Sequence, residues 1–262
     1  MIAMNEAGHS HNHIVKLLDA GFRLDGRKAE EFREISLETG VTKTAEGSAR
    51  VKIGGTEVMA GVKMEVVTPY PDAPEDGTII VNVELMPLSS PDFESGPPGI
   101  EAIEISRVVD RGIRESKALN FRKLCIEKDK KVWAVLIDLC TINAEGNLLD
   151  ACALAALAAL RDARLPAYDG EKIDYRSKAK DSLPLEKIPI SVTVSKIGRH
   201  FIIDPDAEEE KAIGARITVA SLEDGTLCAM QKGGDEALAP DDVIKMIDIA
   251  TAKANELRGM VG

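Results

Sequence analysis

Apolar residues alternate with polar ones at Val51, Ile53, Val58, Ala60 and Val62, and Gly54-Gly55 interrupts the series, which predicts two strands joined by a tight hairpin. "TIIVNVELMP" continues in the same period, between polar, Pro-rich loops at Thr68–Gly77 and Ser89–Gly99. From Ile100 to Leu119 the spacing becomes helical. "KVWAVLIDLCTI" is then a nearly unbroken apolar strand, expected to be buried on both faces. "NLLDACALAALAALRDARL" follows as a helix whose small alanine face permits close packing on a sheet, ending at Pro166. After a polar stretch the period returns to two in "IPISVTVSKI", "HFIIDP", "GARITVAS" and "TLCAMQKGG", read as a meander, and a last helix opens near Pro240.

Strands therefore precede helices twice over. The expectation is an α/β (α+β) fold of duplicated β-sheet-plus-helix units. The pattern divides the chain into an N-terminal tail and short helix (1–30), a first unit (31–165), a linker or crossover (166–187) and a second unit (188–262).

Composition narrows the function. The formal charge of −11 argues against a general nucleic-acid coat, and leaves room for a local basic strip or for a partner that supplies the positive charge. With 3% aromatic residues, base-stacking platforms are not expected. Cys125, Cys140, Cys152 and Cys228 lie far apart, with no C-x-x-C pair, and read as buried thiols in a reducing compartment. No apolar run has signal-peptide flanks or spanning length, so a cytoplasmic protein with no membrane association is expected. His9, His11 and His13 near the N-terminus read as part of a mobile tail and not as a metal site.

Three places could carry chemistry. Arg107, Arg111 and Arg114 fall at i, i+4 and i+7 and put three guanidinium groups on one helix face, a row able to grip successive phosphates. The plainer reading is a solvated face laced by the pairs Asp110–Arg114 and Arg111–Glu115. At "NAEGNLLDA" a strand turns into a helix, a potential phosphate cradle. Here Asn147 is expected to cap the helix, Asp150 and Glu145 flank it, and no Lys or Arg stands in the loop, so the junction reads as structural. Finally, Asp204, Asp206 and Glu208, Glu209 and Glu210 could bind Mg²⁺ through oxygen, but runs of acids are ordinarily solvated surface; no metal or other cofactor is expected.

"GFRLDGRKAEEFREI", "SRVVDRGIRESKAL", "IDLCTINAEGNLLDACALAALAAL" and "IDPDAEEE", in this order, resemble the RNase PH family of phosphate-dependent exoribonucleases, and within it the non-catalytic RNase PH-like subunits of the archaeal exosome ring. The resemblance implies an RNase PH-like fold, related to domain 2 of ribosomal protein S5. It implies a catalytic RNase PH-like partner, three such pairs closing into a hexameric ring, cap subunits with S1 or KH domains, and single-stranded RNA as substrate of the whole. Catalytic relatives carry a Gly-Ser/Thr-Arg phosphate loop where this chain has Gly146-Asn147-Leu148, and two aspartates six apart where it has Gly198 and Asp204. The implied role is non-catalytic: no catalytic residue, with the acids after Ile203 the remnant of a site whose chemistry has been lost. Arg107 and Arg111 match the family's R-x-x-x-R pair on the RNA path, so RNA contact is implied for these two and not for Arg114. The rival is an active phosphorolytic ribonuclease using Asp204 or Asp206 alone.

Overall fold

The computed structural model describes residues 2–261, and their side chains apart from those of 2–10 and 176–180. Alternation produces the expected hairpin: β2 (Gly47–Ile53) and β3 (Thr56–Val67) pair in antiparallel register about Gly54-Gly55, with β1 (Ile35–Thr39) outside β2. Strand β4 (Thr78–Glu84) leads through helix α2 (Ile100–Glu115) to β6 (Lys131–Asn143), and this crossover makes β4 and β6 parallel. The sheet order is β1-β2-β3-β6-β4, with the short β5 (Cys125–Glu127) beside β6. Strand β6 is buried on both faces over Val132–Val135, as its unbroken apolar run requires. Helix α2 stops at Glu115, short of Leu119, because Lys117 adopts a left-handed backbone with φ 53°.

Helix α3 (Leu148–Asp162) buries its alanine face against β2 and β3. The crossover stretch that follows is not bare chain: β7 (Arg164–Tyr168) and β8 (Ile173–Ser182) form a two-stranded hairpin there. The second sheet comprises β9 (Ile190–Ile197), β10 (His200–Ile203), β11 (Ala215–Ser221) and β12 (Leu227–Gly233). It is not a simple meander, because its order is β10-β9-β11-β12. The short helix α4 (Ala207–Glu210) redirects the chain after β10, so that β11 pairs with the far edge of β9. Helix α5 (Pro240–Val261) packs on β9 and β11. One core runs through both units, joining Val58, Ile137 and Leu157 to Val192, Val219 and Met246.

At the N-terminus the expected short helix over His13–Leu18 is present but longer: helix α1 spans Ile2–Asp19, taking in the stretch read as a tail. Ile14 and Leu18, one turn apart, are buried in a small separate core with Ile197, Ile202 and Ala212, which ties the helix to the β9–β10 hairpin. His13 is exposed and His11 half-buried, whereas the side chain of His9 lies outside the described residues. All four cysteines are free, but only Cys152 is buried. Among the described residues no helix is long and apolar enough to cross a membrane.

Candidate functional site

The junction between β6 and α3 is built by contact with the chain that follows β10. Gly146 has φ +89°, and a Cβ there would come within 2.4 Å of the Pro205 carbonyl oxygen, so only glycine lets the two loops meet. Asn147 occupies the N-cap position but is left-handed (φ 59°) and makes no side-chain cap, unlike the extended residue a capping role needs. Its Nδ2 donates instead to Asp204 Oδ1 at 2.9 Å. Its backbone N–H donates to Glu210 Oε1 at 2.8 Å, so a carboxylate of the protein's own sits at the positive end of α3.

Asp204 and Glu209 are fully buried, which overturns the reading of solvated surface for these two, whereas Glu208 and Glu210 are exposed as that reading expects. The Asp204 carboxylate accepts from Arg33 Nη2 at 2.7 Å, Arg27 Nη1 at 2.9 Å and the Arg33 backbone N–H at 2.8 Å. Burial alone would raise its pKa, but the Arg33 guanidinium and amide hold it below the usual carboxylate value. The Arg33 side chain also donates to the carbonyls of Glu145 and Gly146, bringing to the α3 junction a positive charge that the local sequence lacks. Beneath it, Arg23 grips Glu209 through Nε at 3.0 Å, both side chains almost wholly buried, and donates to the carbonyls of Ile203 and Asp204. Asp206 closes a capping box with Glu209 at the start of α4.

The acids are therefore fastenings. In the sequence alone Arg23, Arg27 and Arg33 carry no evident role. Three arginines in one polar segment facing a run of acids in another was the signal, but their partners lie more than 170 residues away. Gly198 sits in the β9–β10 turn at φ +58°, with Val15 of α1 against it. Among the described residues no group of three or more His, Cys, Asp or Glu side chains could hold a metal ion.

The arginine strip divides. Arg114 pairs with Asp110 at 2.7 Å and donates to the Ile79 carbonyl, as the plainer reading expected. Arg107 and Arg111 are exposed and have no hydrogen bond or ion pair among the described residues, so the second local pair, Arg111 with Glu115, is not formed. Both line a cleft of about 470 Å³ between α2 and the β11–β12 edge, beside Ile103 and Met230. Ile100, at the same cleft, is 88% exposed.

Fold and sequence define the class. Residues 31–166 match domain 1 of the 3′ exoribonuclease family and residues 187–253 match its domain 2, so the chain belongs to the RNase PH family. Among curated proteins it is similar to the exosome complex component Rrp42 of Methanothermobacter thermautotrophicus, 47% identical over 247 residues that cover 93% of this chain and 91% of that one. It is also similar to Rrp42 of Pyrococcus horikoshii, 43% identical, with 97% and 94% covered. A chain in the solved structure of the Archaeoglobus fulgidus exosome with RNA bound to the active site superposes with a TM-score of 0.90 at 41% identity, covering 98% of this chain and 99% of that one.

Proposed function

We propose that this chain is a non-catalytic subunit of an exosome, a 3′→5′ RNA-degrading complex, and that it shapes the active site of a catalytic RNase PH-like partner while offering Arg107 and Arg111 to the RNA. Its relatives named as exosome components span nearly its whole length and support this placement. The observation that carries the non-catalytic part is the double occupancy at α3: Glu210 answers the helix N-terminus and two arginines hold Asp204. A carboxylate with a depressed pKa is a poor proton shuttle near neutrality. Asp206 is spent as a helix cap. We take residues 31–165 and 188–262 as the two RNase PH units, 166–187 as the segment between them, and 1–30 as an N-terminal extension. Three pairs of this chain with its partner would close a hexameric ring capped by S1- or KH-domain subunits, in the cytoplasm.

The test is phosphate-dependent release of nucleoside diphosphates from single-stranded RNA. The purified chain should release none, and the co-purified complex with its catalytic partner should be active. A mass of the complex fixes the stoichiometry. Release by the chain alone would favour the rival reading, an active ribonuclease.

A further inference from the structure

Beside the α3 junction lies a second cavity, of about 420 Å³, enclosed by α2, α3, β9 and β11 together with the loops that flank α4. Three carboxylates line it, Glu101, Glu104 and Glu210, against the single guanidinium of Arg216 among its lining residues. Glu104 takes that guanidinium in an ion pair of 2.7 Å, and neither Glu101 nor Glu210, both at the exposed edge of the cavity, has an ion pair of its own among the described residues. Two further lining residues keep unpartnered oxygens although almost wholly buried: Asn147 Oδ1 and Ser195 Oγ. The Asn147 amide orientation is fixed, since its Nδ2 donates to the Asp204 carboxylate, so Oδ1 remains a pure acceptor. Buried polar atoms ordinarily find partners, and an orphaned acceptor in a negatively charged cavity asks for a cationic donor.

We infer that this cavity binds a small organic cation, an aliphatic diamine or polyamine, through Glu101, Glu210 and the orphaned oxygens of Asn147 and Ser195. A bare metal ion fits less well, because no three carboxylates among the described residues converge on one point. A chain with two ammonium ends can span acceptors that do not converge, and Ile105, Leu149 and Ile213 supply apolar wall for its methylene groups. The proton balance agrees. Desolvation at the cavity wall, then the charge of Glu101, holds Glu210 above the ordinary carboxylate value against the Asn147 amide, Arg216 and Arg33. Desolvation, Glu104 and Asp92 do the same for Glu101 against Arg216, although both side chains keep solvent-exposed surface. A bound cation would relieve both. The site adjoins the cleft that holds Arg107 and Arg111, sharing Ile100 and Glu104 with it, and its charge balance stands whether or not the chain is catalytic.

The probe is 1,4-diaminobutane titrated calorimetrically into the full chain at low ionic strength, with n-butylamine and Mg²⁺ as controls. Saturable binding of the diamine is expected, weakened roughly tenfold by Glu101→Gln at the cavity mouth, as for loss of one charge-assisted hydrogen bond. Glu210→Gln should weaken it at least as much, and Glu101→Gln keeps the question answerable if that variant does not fold. No saturable binding, binding unchanged in Glu101→Gln, or equal binding of n-butylamine or Mg²⁺ would each overturn the inference.

Discussion

At the start of α3, Arg23, Arg27 and Arg33 meet Glu209 and Asp204 inside the protein, whereas Arg107 and Arg111 on α2 stand in the open without partners among the described residues. The same side chain thus does two different jobs. In the first region each guanidinium is consumed by a buried carboxylate and by backbone carbonyls, so the charge fastens the chain after β10 to the N-terminal segment and to the α3 junction. In the second region the charge is left over, next to an apolar cleft, and is available to a phosphate. A buried arginine–carboxylate pair is costly to assemble and costlier to break, because removing one member strands the other away from water. A catalytic group needs the opposite: an oxygen free to exchange its proton.

Removing Asp204 is the sharpest way to break the comparison. Asp204→Ala would leave Arg27 and Arg33 facing each other without their shared carboxylate, at a cost of about 3–5 kcal/mol. Urea unfolding would measure it. A loss below about 1 kcal/mol would mean that the cluster is not a fastening. The pH dependence follows from the depressed pKa: the contribution of Asp204 is complete above its unfolded value of 3.8 and is lost as pH falls through its lower folded value. Native and variant stabilities should therefore converge in strong acid.

Asp150 sharpens the same point from the other side, being a buried carboxyl that no arginine serves. It lies in the first turn of α3, fully buried, with only neighbouring polar groups and no cation beside it among the described residues. Burial pushes its pKa up to about 7, against the pull of Thr193 and Asn147. A raised pKa means that the folded state binds the proton more tightly, so the contribution of Asp150 is most favourable below about pH 4 and is lost as pH rises to about 7. Three units correspond to about 4 kcal/mol, so Asp150→Asn should gain about 2–4 kcal/mol at pH 8 and nothing at pH 4. A pH-independent effect of this substitution would refute the assignment.

The parts of the fold written in local periodicity were legible: the hairpin at Gly54-Gly55, the doubly buried β6, the alanine face of α3 and the start of α5 at Pro240. What failed depended on distant partners. A short amphipathic helix over His13–Leu18 is legible, but not its reach back to Ile2 nor the partners Ile197 and Ile202 that hold Ile14 and Leu18. The order of the second sheet turns on α4 and on the arginines that anchor its flanks, and a run of glutamates gives no hint that Glu209 is buried. At the α3 junction the sequence shows no basic residue in the loop, yet Arg33 arrives there from another segment and Glu210 takes the Asn147 N–H at the start of the helix. The strip on α2 was legible as a row; that Arg114 is bound and its two neighbours are not required the partners Asp110 and Ile79.

The smallest effect on stability is expected where the comparison says the charge is spare. Replacing Arg107 and Arg111 with Glu together breaks no ion pair among the described residues and buries nothing, so unfolding free energy should move by less than about 0.5 kcal/mol. Binding is another matter. If both guanidinium groups sit on phosphates, their reversal should weaken single-stranded RNA binding by the assembled complex roughly tenfold to a hundredfold at low salt. The slope of log affinity against log salt concentration should become shallower by about 1.4, or 0.7 for each phosphate contact on a single strand. Both quantities are needed. A weaker complex with an unchanged slope would signal a disturbed assembly, since losing two phosphate contacts must release fewer counterions. Unchanged affinity and slope would return Arg107 and Arg111 to an ordinary solvated helix face, and the contrast with the buried arginines would then be one of stability alone.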